Sequence, residues 1–309
     1  MPNILCLFSV GDPFPSWAES FTEIFKISGY SYTNDPIKAD LAFLHIRYGC
    51  QPYDQNHLSL VRARRLPVVC FDDLDYLYPH APWIGEQAWA RLFCDRMLAQ
   101  HDWAKFLHSG HEQVKLYFLR SMRTTRSYPP WVQPFEPVFQ GSHNYYTAEH
   151  LAQRPFDVCF IGQCHQTRAT VLCDLLANGK VKVDYAFPKV RLEFTQWLIR
   201  HSKAKMFLEA DGGGHGSDRP WELMSIAPML YQRTDRVSSA PWQENVHCHP
   251  ISDLDGHVSG FEIEQLMELL KDTDRLYSIY LAGMLHMGKY FSVAARATRV
   301  LSAMNSVAL

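Results

Sequence analysis

Short apolar runs alternate with stretches of helical periodicity along nearly the whole chain, and this alternation constrains the fold more than any other feature. An apolar run bounded by turn residues suits a strand buried on both faces. An amphipathic helix between two such runs suits the crossover that parallel strands require. In the first half, "NILCLFSV" reads as a strand stopped by Gly-Asp-Pro, and "SWAESFTEIFKISG" as a helix with Gly29 as its stop. "ADLAFLHIRYG", "NHLSLVRARR" and "PVVCFDDL" then read as strand, helix and strand. "WAKFLHS" and "VKLYFLR" each suit a short strand. "SYPPWVQPFEPVF" carries four prolines, which exclude regular helix and mark a linker or a domain edge.

The second half is more regular. "FDVCFIG", "VKVDYAF", "AKMFLEAD", "APMLYQR" and "VHCHPIS" are strand-like. "TRATVLCDLLANG", "RLEFTQWLIRHS" and "RPWELMSIA" are helical and lie between the first four of them. "FEIEQLMELLKD", "DRLYSIYLAGMLHMGKYF" and "SVAARATRVLSAMNSVAL" follow as helices. The length of 309 residues suits two domains. The expected fold class is therefore α/β, with two Rossmann-like domains facing a cleft. Residues 1–140 form the first domain and residues 150–290 the second, and a C-terminal helix, residues 291–309, packs back across the cleft.

Composition removes several classes. Apolar residues make up 47% and charged residues 20%, as in ordinary globular proteins, and the formal net charge is −2. Such a balance argues against binding nucleic acid through bulk charge. No run approaches a transmembrane segment, and the N-terminus lacks the basic start of a signal peptide. Eight cysteines are scattered singly, without a Cys-x-x-Cys pair, and read as reduced core residues of a cytoplasmic protein.

The most distinctive stretch is "LEADGGGHGSDRPWEL", residues 208–223. It places Gly212, Gly213, Gly214 and Gly216 around His215 at the end of a strand, with Asp211 before them. Ser217 or Asp218 suits a helix cap, and Pro220 fits a first helical turn. A glycine-rich loop opening a helix is a phosphate receptor, and Arg219 adds a planar cationic fork. Gly162 and Arg168, at a strand end and the next helix start, suit the edge of the same pocket. The pattern Gly-x-Gly-x-x-Gly of dinucleotide oxidoreductases is absent after the first strand, and the glycine loop has no P-loop lysine.

The segment from Lys205 to about Tyr290 resembles the protein O-glucosyltransferase and capsule-associated glycosyltransferase family. The likeness rests on Lys205, the strand "MFLEA", Asp211-Gly212, Ser217-Asp218-Arg219 and "VHCHPISDLDG", and "FIGQCHQTR" adds to it. Spore-maturation-type and exostosin-like transferases are similar in their Ser-x-Arg…Glu layout. The resemblance implies the two-domain architecture called GT-B and a nucleoside-diphosphate sugar as donor. It implies an inverting, metal-independent transfer to a hydroxyl of a glycan, protein or small-molecule acceptor, without a further cofactor. It further implies that Ser217 and Arg219 bind the diphosphate, that Asp211, Gly213, Gly214 and His215 shape the donor loop, and that Glu222 meets ribose or sugar hydroxyls.

Such a transfer needs a general base. Asp12, in "SVGDPFP", and Asp73, in "VVCFDDLDYL", each follow an expected strand of the first domain, as do Asp72 and Asp75. A turn residue explains Asp12 equally well, and helix capping explains Asp72 and Asp73. Two other readings remain open. Asp73 and Asp75 form an Asp-x-Asp that a metal-dependent transferase uses to hold a cation. A non-catalytic nucleotide or glycan sensor would share the same fold. His247 and His249, in "HCH", are expected on one face of a strand, and no spacing supplies two further zinc ligands. Trp17 and Trp131 are candidates for stacking on sugar.

Overall fold

The computed structural model describes residues 2–7, 23–46, 55–72, 111–120, 122, 124, 128, 130–136, 139, 146–189, 192–210 and 219–307. Asp12, Trp17, Asp73, Asp75 and the whole glycine loop, 211–218, lie outside these residues. The chain forms two compact units, residues Met1–Glu136 with Val293–Leu309, and Pro137–Ser292.

The first unit is built on a six-stranded parallel sheet of order β2-β1-β3-β4-β5-β6. The strands are β1 (Asn3–Leu7), β2 (Ser31–Thr33), β3 (Leu41–Ile46), β4 (Val68–Asp72), β5 (Val114–Leu119) and β6 (Val132–Pro134). The apolar runs are buried as a parallel sheet requires: every residue of β4 is buried. Helix α1 (Gln55–Ala63) connects β3 and β4, and helical residues 23–27 end at Gly29, whose φ of 86° is left-handed. Two strands escaped the sequence reading. β2 has three residues, too few for a periodic signal. β6 lies inside the proline-rich stretch, at the sheet edge, where a missing N–H leaves no ladder bond unmade.

Asp72 is the last residue of β4 rather than a helix cap, and its buried carboxylate accepts a 2.5 Å hydrogen bond from the Tyr117 hydroxyl. In the core, Phe135 meets Phe71 edge to face at 5.2 Å and Phe118 at a tilt at 4.9 Å between centroids.

The second unit has a five-stranded parallel sheet of order β11-β10-β9-β7-β8. Its strands are β7 (Phe156–Ile161), β8 (Val183–Ala186), β9 (Ala204–Glu209), β10 (Met229–Gln232) and β11 (Cys248–Ser252). Its helices are α2 (Ala148–Ala152), α3 (Gln166–Asn178), α4 (Phe194–His201), α5 (Arg219–Leu223), α6 (Gly260–Lys271) and α7 (Thr273–Phe291). Alternate residues of β9 serve two cores. Met206 and Leu208 pack with Val171, Leu175, Leu266 and Ile279, while Phe207 packs with Trp221, Met224, Tyr280 and Met287. Both faces are thus covered, which makes the sheet doubly wound.

Among the described cysteines, Cys70, Cys159 and Cys248 are buried as expected, whereas Cys164 and Cys173 are exposed. Cys164 sits in the loop after β7 and Cys173 on α3, so neither is a core residue. Among the described residues, no helix is long and apolar enough to cross a membrane.

Candidate active site

In the second sheet β7 is flanked by β8 on one side and β9 on the other, so the chain reverses its winding direction at β7. The crevice beyond the carboxyl ends of strands at such a switch point is where doubly wound sheets bind ligands. Two buried arginines stitch this crevice together. Arg168, from α3, donates through Nε to the carbonyl of Ala210 at 3.0 Å and through Nη1 to that of Gln163 at 3.3 Å. It thereby ties the end of β9 to the loop after β7. Arg219, at the start of α5, donates through Nη2 to the carbonyl of Ile161 at 3.2 Å. Its Nη1 lies 3.7 Å from Glu209, and each of these two side chains is 7% exposed.

Both guanidinium groups lie over the ring of Phe160, at 4.4 Å for Arg219 and 5.7 Å for Arg168. A flat cation over an aromatic face is favourable, more so when buried. Gly162 is explained by the same packing: a Cβ there would run into Arg219 Nη2. The glycine makes room for the guanidinium, and its backbone angle is not left-handed.

These elements wall a cavity of about 320 Å³. Ile161, Gly162 and Gln163 line it from the end of β7, Pro188 and Lys189 from the end of β8, Leu192, Phe194 and Trp197 from α4 and its entry, and Arg219 and Glu222 from α5. Phe194 is 50% exposed and stacks on Trp197, with centroids 5.8 Å apart and planes at 21°. Trp197 Nε1 donates to Ile161 O at 3.3 Å, the carbonyl that also receives Arg219. Behind Trp197, His201 shares a 2.9 Å hydrogen bond with the Trp197 carbonyl. Burial pulls the His201 pKa down to about 4, so the imidazole is neutral near pH 7. Cys159 beneath the site is inert, because burial and nearby Asp184 push its thiol up to about 12.

Of the expected donor residues, Gly162, Arg219 and Glu222 come together on this wall, with Arg168 behind Phe160. Asp211, Gly213, Gly214, His215 and Ser217, and the candidate bases Asp12 and Asp73, lie outside the described residues. Sequence reasoning missed Phe160, Glu209, Lys189, Phe194 and Trp197. Glu209 left one signal, a carboxylate at the end of an otherwise apolar strand.

His247 precedes β11 rather than sharing a strand face with His249. His247 accepts from the Gln243 N–H and packs its ring 4.2 Å from that of His286, while His249 bonds Asn245. No group of three or more His, Cys, Asp or Glu able to hold a metal ion occurs among the described residues.

No protein-family model matches the chain, and no curated protein matches it in sequence. Solved structures do match in fold. The structure of Anabaena HepE in complex with UDP and glucose superposes with a TM-score of 0.56 at 10% identity, over 99% of this chain and all of the other. Sucrose-phosphate synthase from Thermosynechococcus elongatus gives 0.56 at 8% identity, over 99% of each chain. An α-glucosyltransferase in complex with UDP and a 13-mer DNA gives 0.57 at 8% identity, over 98% of this chain and 99% of the other. The two parallel-sheet α/β units are those of the GT-B glycosyltransferase fold.

Proposed function

We propose that the protein is a glycosyltransferase that moves a sugar from a nucleoside-diphosphate sugar to an acceptor hydroxyl. The observation that carries this reading is the switch-point cavity, where an aromatic pair, two cations and a carboxylate converge. An aromatic face suits a base or a sugar ring, Glu222 accepts hydrogen bonds from hydroxyls, and positive charge suits a diphosphate. HepE, a structure of the same fold, is complexed with UDP-glucose. The resemblance of residues 205–290 to protein O-glucosyltransferases supports a hydroxyl acceptor, on a glycan, a protein or a small molecule.

In this mechanism the acceptor oxygen forms a bond to the anomeric carbon as the bond from that carbon to the diphosphate oxygen breaks. The bonding pair leaves with the diphosphate, which gains charge, and positive groups beside it lower the barrier. The acceptor proton passes to a carboxylate, for which Asp12 and Asp73 remain our assignments. We further propose that the transfer inverts the anomeric centre, requires no metal, and takes place in the cytoplasm.

Calorimetry with UDP-, GDP-, TDP- and ADP-sugars tests the reading, followed by turnover of any binder with and without EDTA. One donor is expected to bind and to be consumed equally in both conditions. Failure of all donors to bind folded protein would refute the nucleotide-sugar reading. Binding without turnover in the presence of varied acceptors would favour a sensor. Turnover restored only by manganese or magnesium would move the diphosphate site to Asp73 and Asp75.

A further inference from the structure

We propose that Lys189, rather than Arg168 or Arg219, is the cation that contacts the donor's diphosphate; the assignment rests on the nucleotide-sugar reading. The sequence alone points to the arginines, but Arg168 does not line the cavity, and Arg219, which does, is held in a buried ion pair. Arg168 directs Nε and Nη1 to the carbonyls of Ala210 and Gln163, behind the Phe160 ring. Arg219 donates to Ile161 O and lies 3.7 Å from the buried Glu209 carboxylate. A cation balanced by an anion at that distance presents little net field to a third charge several ångströms away.

Beside Arg219, which is balanced by Glu209, the other cation on the described wall is Lys189. Lys189 follows Pro188 just beyond the carboxyl end of β8, beside the switch point. It is exposed, and no hydrogen bond or ion pair holds it among the described residues. A lysine on a flexible stem offers three donors and can follow phosphate oxygens as their charge rises during bond cleavage. The arginines then act as positioning residues. They set the shape of the crevice by joining β7, β9 and α5, while Lys189 supplies the charge.

The division of labour separates cleanly by calorimetry on the full-length protein with UDP, GDP and ADP and with the matching nucleosides. Lys189→Met is expected to weaken the diphosphate that binds by about ten- to a hundredfold, the usual weight of a charge-assisted hydrogen bond. Nucleoside affinity and Tm should not move, and Lys189→Arg should recover most of the loss. Unchanged diphosphate affinity in Lys189→Met overturns the assignment and leaves the nucleotide-sugar reading standing. An equal loss for nucleoside and diphosphate also overturns it, because the lysine would then be shaping the cavity. If the wild-type protein binds none of the three diphosphates, the underlying reading fails, and the role of Lys189 with it.

Discussion

Arg219 is buried against Glu209, and that burial decides what its removal would do. From the sequence, a substitution there should weaken donor binding and leave the fold intact. In the structure the side chain fills the space above Gly162, covers Phe160 and balances a buried carboxylate. Arg219→Met keeps most of the volume but removes the cation beside Glu209. Breaking a buried ion pair from one side costs about 3–5 kcal/mol. A lowered Tm by calorimetric scan is therefore expected for Arg219→Met, with most of it regained when Glu209→Gln is added. If Arg219→Met melts like wild type, the pair does not contribute as described. The candidate site was legible in the sequence where a residue type speaks for itself: a glycine at a strand end, an arginine opening a helix, a carboxylate one turn later. The partnership of Arg219 with Glu209 and Phe160 was not, because strands β7 and β9 become neighbours only in the sheet.

Helix α7 carries two glycines that behave as a matched pair. A Cβ at Gly283 would meet the His247 carbonyl oxygen at 2.7 Å and Met224 Sδ at 2.9 Å, whereas one at Gly288 would meet nothing within 4 Å. Replacing a helical glycine by alanine gains about 0.8–1 kcal/mol in propensity. At Gly288 that gain stands alone, so Gly288→Ala should raise Tm. At Gly283 a backbone oxygen must move, and overpacking costs about 1–3 kcal/mol, so Gly283→Ala should lower Tm or at best leave it unchanged. A rise at Gly283 equal to that at Gly288 would mean that α7 does not sit against the segment before β11 as described. The sequence disclosed α7 by its helical period and the longer strands by their unbroken apolar runs, because each pattern extends far enough to define an element. It disclosed β2 and β6 poorly because three residues cannot define one. It also lengthened α5, since "RPWELMSIA" keeps a helical pattern past Leu223, where the regular helix ends.

The chain enters its second unit after Glu136 and returns to its first at Val293, so the first unit is completed only by the last helix, α8 (Val293–Ser306). The attachment is specific. Arg296, fully buried, lies 4.6 Å over the Phe135 ring and pairs with Glu136 at 3.0 Å. Burial lowers its pKa to about 10, offset in part by Glu136, so it stays charged at neutral pH. Arg299 donates to Pro134 O, and Ala297 O receives the Ser28 hydroxyl. Val300 and Met304 are buried as well, and each such side chain contributes about 1.5–3 kcal/mol. Removing residues 293–309 would uncover this surface and leave Glu136 without its arginine. The second unit, residues 137–292, contains every described wall of the switch-point cavity and none of α8. Hydrogen exchange on the truncated chain should therefore show lost protection in β1 to β6 and retained protection in β7 to β11, with nucleotide binding preserved. Equal loss in both sheets would show that the two units fold as one cooperative block, and unchanged protection in the first would show that α8 is dispensable to it.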